Sequence, residues 1–471
     1  MRYSSDVLFG LLAAALCGSP CSIADTIDVP GDFASIAAAM DAAVDGDLVL
    51  VAPGTYLEGE LNFAGKKITV SGTAPDDSVV VEATVVEAQG ERAVVFSSGE
   101  DTLSILRGIA LRGSPPLLTA LTVAAGSRPV VDRCLLVGSY WYDSHRGIDV
   151  DGAAIELRGC RIREFQVGSK GAGISLSEST ARIVGCRIES NITQGDGAGI
   201  LAEDSSVQIV DTVIRDNITI DEGREGGGIA AFRSRFDIRN SRIVGNQSVT
   251  ISCSGGGMSL GRSEALLVGC AIDNNHAEGL GGGILSLHSR LHMIGCTVND
   301  NDAWDGGDAI YGSGVALLES CVVIGGESGR SSAIRWRGVY LLLQNCTVAG
   351  NTSNSDAALE IVTGRSWIRN TILYDNSPSS LDWDELPPTV VYSNIEGGWP
   401  GAGNIDADPH FFSAAGFDVL LRPGSPCIDT GTPNLEDALH DGAPRWPDGL
   451  PNGPRSDMGA YGGPENGSWW R

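Results

Sequence analysis

Hydrophobic and polar residues alternate along most of this chain in short runs, and the runs recur with a fixed period. Apolar residues stand two positions apart in pairs such as Ile174 and Leu176, Ala181 and Ile183, and Cys186 and Ile188. Alternation with a period of two, interrupted by Gly, Ser and Asn, predicts short β-strands and carries no helical stripe. The Cys296 position recurs about every 26 residues, at Gly108, Cys134, Cys160, Cys186, Thr212, Ser241, Cys270, Cys321, Cys346 and Thr371. A period of this length predicts a stacked array of repeats.

Each repeat has room for three short strands. Stacking the repeats about 4.8 Å apart gives every strand a parallel neighbour, and about eleven turns make a rod roughly 50 Å long. Equivalent side chains then form ladders: Cys at the repeat position, Ser seven residues earlier and Asn five residues later. Because Asn tolerates left-handed backbone and pairs its amide with the Asn above, the Asn ladder predicts a tight bend. Its members are Asn191, Asn217, Asn246, Asn275, Asn301, Asn351 and Asn376.

This repeat resembles the right-handed parallel β-helix of the pectin-lyase-like superfamily, whose bends carry similar Asn ladders. The resemblance implies an all-β fold: a single-stranded right-handed parallel β-helix, or solenoid, with a small N-terminal capping helix. The right-handedness is inferred from this resemblance, since periodicity alone does not show handedness. Residues 26–30 and 45–56 are also similar to the opening of many secreted bacterial β-helix proteins.

Four regions are predicted along the chain. Residues 1–24 resemble a cleavable signal peptide, although Cys17 leaves open a lipoprotein anchor. Residues 25–56 form a cap, with a helix over 33–44 that starts at Asp32 and a strand over 48–52. Residues 57–376 are the β-helix repeats, and residues 377–471 are an irregular closing segment that resembles those of proteins with a choice-of-anchor region.

Composition and charge exclude some classes of partner. The net charge of −27 argues against nucleic acid, because phosphate binding needs a basic stripe. After the signal peptide no segment is apolar enough to span a membrane, so a secreted or cell-surface location is expected. Only 19% of residues are charged and 63 are Gly, which fits a long apolar core with many turns.

Seven of the eleven Cys occupy one repeat position. Stacked side chains point the same way, whereas a disulfide needs a near-perpendicular torsion, so buried free thiols are expected there. Cys253 and Cys427 lie off this ladder and are the one pair that a disulfide could join. Gly257–Gly261 matches a nucleophile-elbow pattern, but Ser259 occupies an ordinary strand position of the repeat.

Repeat length varies in one connection only. The glycine–hydrophobic pair that opens each repeat stands 9, 12, 12, 9 and 9 residues after the Asn ladder position for the five turns from Asn191 to Asn301. Insertions at one connection line up on one side of a stacked array. These loops carry Asp196, Asp221, Glu222, Arg224, Glu225, His276, Glu278, Asp302, Trp304, Asp305 and Asp308, and an earlier loop carries Trp141, Tyr142 and Asp143.

Three interpretations of this acidic and aromatic surface stay open. Aromatic rings stack on sugar rings and carboxylates bind hydroxyl groups, so Trp141, Tyr142, Asp143 and Trp304 suit an extracellular polysaccharide. The resemblance alternatively implies a polysaccharide lyase assisted by calcium, or a glycoside hydrolase, that uses members of the group Asp196, Glu222, Arg224, His276, Asp302 and Asp305. The third interpretation is a passive structural rod.

Overall fold

The computed structural model describes residues 24–112, 119–138, 146–325, 332–353, 357–414, 417–441 and 452–469. The predicted signal peptide, except Ala24, and the predicted ligand-binding residues Trp141, Tyr142 and Asp143 lie outside these ranges. The described chain winds into about 13 parallel coils, which confirms the predicted solenoid. No helix among the described residues is long and apolar enough to cross a membrane.

The first and second strands of each coil belong to one 26-stranded sheet, because two coils run through both positions as single strands, Ile284–Ile294 and Ile310–Glu319. The other first strands are Leu61–Asn62, Arg92–Phe96, Thr119–Val123, Arg146–Asp151, Ile174–Ser177, Ile200–Glu203, Ile229–Phe232, Met258–Gly261, Ile334–Trp336, Leu359–Ile361 and Leu381–Trp383. The other second strands are Thr26–Val29, Leu48–Val51, Thr69–Gly72, Ile105–Arg107, Val130–Asp132, Ala154–Arg158, Thr180–Val184, Ser206–Val210, Arg235–Arg239, Glu264–Val268, Tyr340–Gln344, Arg365–Arg369 and Thr389–Val391.

The third strands form a 14-stranded parallel sheet. They are Gly54–Glu58, Thr84–Ala88, Ala110–Arg112, Leu135–Val137, Arg161–Arg163, Arg187–Glu189, Val213–Arg215, Arg242–Val244, Ala271–Asp273, Thr297–Asn299, Val322–Ile324, Thr347–Ala349, Ile372–Tyr374 and Asn394–Ile395. Six coils add a fourth strand of two residues, which the sequence analysis did not predict: Gln166–Val167, Ile192–Thr193, Ile218–Thr219, Gln247–Ser248, His276–Ala277 and Asp302–Ala303.

The corners between these strands follow one rule. In the coil that begins at Ile174 the corners are Glu178–Ser179, Gly185–Cys186 and Ser190–Asn191, and the first residue of each is left-handed, with φ of 48°, 62° and 56°. The expectation that the Asn itself takes the left-handed backbone is therefore wrong; the residue before it does. The second residue of each corner points inward and belongs to one of the three predicted ladders.

The three ladders are confirmed, and they satisfy buried polar groups. The backbone N–H of Ser179 donates to Oγ of Ser205 at 3.0 Å, and that of Cys160 donates to Sγ of Cys186 at 3.4 Å. In the Asn ladder, both the backbone N–H and Nδ2 of Asn217 donate to Oδ1 of Asn246, at 3.1 and 2.9 Å. All nine described cysteines are buried and free, as expected for the ladder, and Cys253 and Cys427 are not joined. Burial raises the pKa of Cys134 to about 12, so this thiol is unreactive.

Helix α1 (Ile36–Ala42) closes the N-terminal end of the core with Ile36, Ala39 and Met40. The helix is shorter than predicted, because Ser35 caps it by accepting a hydrogen bond from the Ala38 N–H at 3.2 Å. Asp32, the predicted cap, instead accepts from the Asp28 N–H at 2.9 Å. A second short helix, α2 (Ser78–Ala83), lies on the outer side of the third-strand sheet, where Val81 packs against Leu135.

The C-terminal segment runs back over the last coils. It contains an antiparallel pair, Phe411–Ala414 with Phe417–Leu421, and a 3₁₀ turn at Asn466–Ser468. Asn345 Nδ2 donates to the Asp457 carbonyl at 2.9 Å, and Ala460 N–H donates to Thr347 Oγ1 at 3.0 Å. Tyr461 and Trp469 pack beside Val322, so this segment covers the third-strand sheet at its C-terminal end.

Candidate functional site

The variable loops fold over the outer face of the first strands. The outward side chains Leu201, Ala230 and Ser259 are buried for this reason. Each loop reaches its strand through a left-handed glycine; at Gly226, φ is 72° and an added Cβ would stand 2.2 Å from the Ile229 carbonyl oxygen. Side chains cannot replace these glycines without moving the loop, so the residue before each glycine is held at a fixed place on the surface.

Lys170 and Asp196 are two of these held residues, and they meet in an ion-pair cluster. The Lys170 Nζ lies 3.2 Å from Asp196 Oδ2 and 3.3 Å from Glu203 Oε1. The same ammonium group lies 5.6 Å from the centre of the Phe232 ring, which is within the range of a cation–π contact. One lysine thus contacts two carboxylates, and the three groups together keep a net charge of −1.

Glu225 extends the cluster inward. Its backbone N–H donates to Asp196 Oδ1 at 3.1 Å, and its Oε2 accepts from the Ser259 hydroxyl at 2.7 Å. Burial raises the pKa of Glu225, the Ser259 hydrogen bond opposes this shift, and the charge of Asp196 adds to it. Both oxygens of the predicted catalytic residue Asp196 are therefore engaged within the protein, and the Ser259 hydroxyl holds a loop in place.

The predicted residues Glu222 and Arg224 lie in the next loop. Glu222 is exposed, and Arg224 Nη2 is 3.8 Å from Asp221 Oδ2. This loop is anchored on Cys253, whose thiol donates to the Asp221 carbonyl at 2.7 Å and accepts from the Arg224 N–H at 3.4 Å. The off-ladder thiol of Cys253 therefore acts as a loop anchor.

His276 and Asp302 form the second cluster of predicted residues, on adjacent fourth strands. His276 Nδ1 lies 2.8 Å from Asp302 Oδ2, and its Nε2 lies 3.5 Å from Glu278 Oε1. The Trp304 N–H donates to the Ala277 carbonyl at 3.0 Å, and the Asp305 N–H donates to the Gly279 carbonyl at 2.9 Å. We call the surface formed by His276, Glu278, Asp302, Trp304 and Asp305 the Trp304 ridge.

The Trp304 ridge presents an aromatic ring among charged groups. The Trp304 side chain is 51% exposed, although its backbone is fixed by the sheet. The hydrogen bond to Asp302 raises the pKa of His276, burial opposes this shift, and Glu278 adds to it. The imidazolium form is therefore favoured between two carboxylates. Among the described residues, no three His, Cys, Asp or Glu side chains gather in the arrangement of a metal site.

Replacing Asp302 with Asn is expected to lower the pKa of His276. The largest cause of the raised pKa, the charged hydrogen bond at 2.8 Å, becomes a neutral one in this variant. Histidine NMR titration measures the change directly from the Cε1–H signal. Glu264→Asn, at an exposed acid on another face, is the control. An unchanged His276 pKa in Asp302→Asn would mean that this pair does not form in solution.

The two clusters are separate along the solenoid. The loop of Asp196 follows Ile192–Thr193, which lies three coils before His276–Ala277, so about 14 Å separates them at the usual strand spacing. Of the predicted catalytic group, the ridge brings together His276, Asp302 and Asp305. Lys170 was not predicted as a site residue, although it occupies the loop position equivalent to Asp196 one coil earlier.

A family model agrees with this architecture over part of the chain. Residues 146–327 match the family model described as "Right handed beta helix region". Among solved structures, the chain is similar to pectate lyase Pel9A at 13% identity with a TM-score of 0.39, covering 93% of this chain and 96% of that one. It is also similar to ORF18 of Geobacillus virus E2 at 10% identity with a TM-score of 0.29, covering 78% and 60%.

No curated protein sequence matches the chain. The family match gives the right-handedness that periodicity alone does not show. The strand pairing shows that the coils stack in parallel. The repeat region of this chain is thus a right-handed parallel β-helix.

Proposed function

We propose that this protein is an exported β-helix that binds extracellular polysaccharide through the Trp304 ridge. The observation that carries the proposal is the half-exposed indole of Trp304, which stands on a sheet-anchored backbone with hydrogen-bonding groups beside it. Export rests on the signal-like residues 1–24 of the sequence.

The chemistry of the ridge suits sugar hydroxyl groups. An indole face stacks on the apolar face of a pyranose ring, while carboxylates accept and an imidazolium donates hydrogen bonds. Glu278, Asp302 and Asp305 against one His276 leave the ridge acidic even when the imidazole is protonated. A neutral glycan is therefore a better ligand for this surface than a polyuronate, whose carboxylates would be repelled.

Binding explains the ridge better than catalysis does. The two carboxylates nearest His276 both contact its ring nitrogens, and Asp196 is engaged by Lys170 and the Glu225 N–H. The alternative, a polysaccharide lyase or glycoside hydrolase, would need an acid or base aimed at the ligand. Asp305 is the exposed carboxylate of the ridge and is the residue to test for that role.

The Trp304→Ala variant is expected to lose about tenfold or more in affinity for the neutral glycan that the wild type binds, because the stacking surface is removed. Trp367→Ala is the matched control, since this Trp is 44% exposed on the outer face of a second strand, away from the loops. Affinity is measured by titration calorimetry against a panel of neutral and uronic glycans.

The same panel is assayed for new reducing ends and unsaturated products. Affinity lost in Trp304→Ala and kept in Trp367→Ala, without turnover, supports the binding function. Turnover that Asp305→Ala abolishes would replace it with the enzyme interpretation. Absence of binding and of turnover on every glycan would leave the passive structural rod as the remaining interpretation.

A further inference from the structure

The outer face of the second strands changes from polar to apolar along the solenoid. Its middle row is charged or polar on four consecutive coils, at Glu156, Arg182, Gln208 and Asp237. On the next five coils the row is mostly apolar, at Leu266, His292, Leu317, Leu342 and Trp367. None of these five side chains is buried, and Trp367 is 44% exposed. We call the outer face of these five second strands the Leu317 patch, after the residue at its centre.

The Leu317 patch has an acid at one end and a base at the other. A second outward row runs beside the middle one, with Glu264, Arg290, Val315, Tyr340 and Arg365 on the same five coils. Its terminal residues Glu264 and Arg365 are both exposed and stand four strand spacings apart, about 19 Å. Contiguous apolar surface with charges at its rim is typical of an interface between proteins.

Both terminal charges are available to a partner. The Arg290 Nη1 lies 3.8 Å from Glu264 Oε1, but both side chains are more than half exposed, so this pair contributes little. Within the described part of the chain, Arg365 forms no ion pair. A second protein that presents a base opposite Glu264 and an acid opposite Arg365 would therefore match both ends of the patch.

The Leu317 patch is complementary to itself under a two-fold rotation. An axis that lies parallel to the strands and passes through Leu317 places two copies face to face with their coil order reversed. Glu264 of each copy then faces Arg365 of the other, because the two residues lie in one row at equal distances from the centre. In the middle row Leu266 faces Trp367 of the second copy, and Leu317 meets Leu317 on the axis.

The other two-fold axis in the plane of the patch does not give this match. That axis runs along the solenoid, keeps the coil order and sets the Glu264 row against the third outward row, which holds Val268, Ile294, Glu319, Gln344 and Arg369. Arg365 would then face Arg369, and Glu264 would face Val268. Like charges across an interface oppose association, so charge selects the axis parallel to the strands.

We propose that the Leu317 patch joins two copies of this chain into a face-to-face dimer with antiparallel solenoid axes. The one acid that meets its own copy at the axis, Glu319, is held within its own chain by His292, whose Nε2 lies 2.9 Å from Glu319 Oε1. The patch is only five strands wide, so each copy buries less than the about 800 Å² of a standard interface, and the dimer is reversible. Dimer formation needs no ligand at the Trp304 ridge, whose loops precede the first strands.

A charge exchange tests the dimer and its geometry together. Sedimentation equilibrium of the full chain from about 1 to about 200 μM gives the dimer dissociation constant of the wild type, Glu264→Arg, Arg365→Glu and the double variant that carries both changes. Arg128→Glu is the control, since Arg128 is exposed beside the second strand Val130–Asp132 in the polar half of the same face. Leu317→Glu places two like charges on the axis. Thermal unfolding checks that every variant keeps the fold.

We expect the wild type to dimerise reversibly and each single charge reversal to weaken the dimer about tenfold or more, because like charges then face each other twice. The double variant should return to within about threefold of the wild type, since the opposite charges again face each other with their places exchanged. Arg128→Glu should leave the dimer unchanged, and Leu317→Glu should abolish it.

Three results would overturn the proposal. The first is a wild type that stays monomeric over the whole concentration range. The second is a double variant that dimerises as weakly as the single variants, because the two charges would then not face each other. The third is a dimer that survives Leu317→Glu, which would place the interface on another surface of the chain.

Discussion

Replacing Asn246 with Ala is expected to lower the free energy of unfolding by about 4 kcal/mol. Asn246 is fully buried in the middle of its ladder, where Oδ1 accepts from both the backbone N–H and Nδ2 of Asn217. Its Nδ2 donates to the Ile214 carbonyl at 3.0 Å and to Asn275 Oδ1 at 3.1 Å. The alanine variant loses these four hydrogen bonds and leaves their partners buried, where water cannot replace them.

Chemical denaturation measures this loss, with Gln247→Ala as the neighbouring control. Gln247 is exposed on the adjacent fourth strand, so its replacement should change stability by less than about 0.5 kcal/mol. If Asn246→Ala were as stable as Gln247→Ala, the ladder would not contribute to folding and the corners alone would fix the coil.

The Glu189→Gln variant is expected to lose about 2 kcal/mol of stability at neutral pH. The Glu189 side chain is 2% exposed and accepts hydrogen bonds from Arg161 and Arg215 on the two flanking coils. Glutamine removes the negative charge between these two arginines, so their positive charges repel each other without compensation. The expected loss of stability is smaller than for a fully buried ion triad, because each arginine side chain is 42% exposed and therefore partly hydrated.

The contribution of Glu189 should depend on pH in a defined direction. Burial alone would raise the pKa of Glu189, but the hydrogen bonds from Arg215 and Arg161 outweigh burial and lower it. A lowered pKa in the folded state means that the stabilisation is present above the unfolded-state pKa and is lost as the pH falls through the folded-state pKa. Denaturation curves of wild type and Glu189→Gln should therefore converge in acid.

Glu178→Gln serves as the control for this pH series. Glu178 is exposed at a corner, and the structure gives it no ion pair among the described residues. Its replacement should change the free energy of unfolding only slightly, and by the same amount at all pH values. A constant difference between wild type and Glu189→Gln from neutral pH to acid would contradict the ion-pair explanation.

The core of this protein could be predicted from sequence because the core repeats. Cys160, Cys186 and Cys270 occupy the same position of the repeat, and stacking then dictates that they share one environment, which the structure confirms. The position of the left-handed residue was not predictable in the same way. At the corner before the ladder Asn, the left-handed residue is Ser, Asp, Asn or Gly in different coils, as in Ser190 and Asp216, so no single residue type marks it.

The surface clusters were only partly predictable, because repeat spacing does not show which outward side chains meet. His276 and Asp302 are 26 residues apart, one coil, and their pairing follows from the period. Lys170 and Glu203 are 33 residues apart and meet because a loop folds over a strand. The partial cover of the third-strand sheet was not predicted, since α2 and the C-terminal segment that form it come from distant parts of the chain.

The way the loops join the coils has a consequence for how such a protein can change. The two longer loops add three residues between Ile218–Thr219 and Ile229–Phe232 and between Gln247–Ser248 and Met258–Gly261. Strand pairing on both sides keeps the register of the shorter coils. Recognition elements could therefore be lengthened, exchanged or grafted at this one seam while the interior stays as it is, which makes the scaffold a modular support whose specificity can diversify independently of its stability.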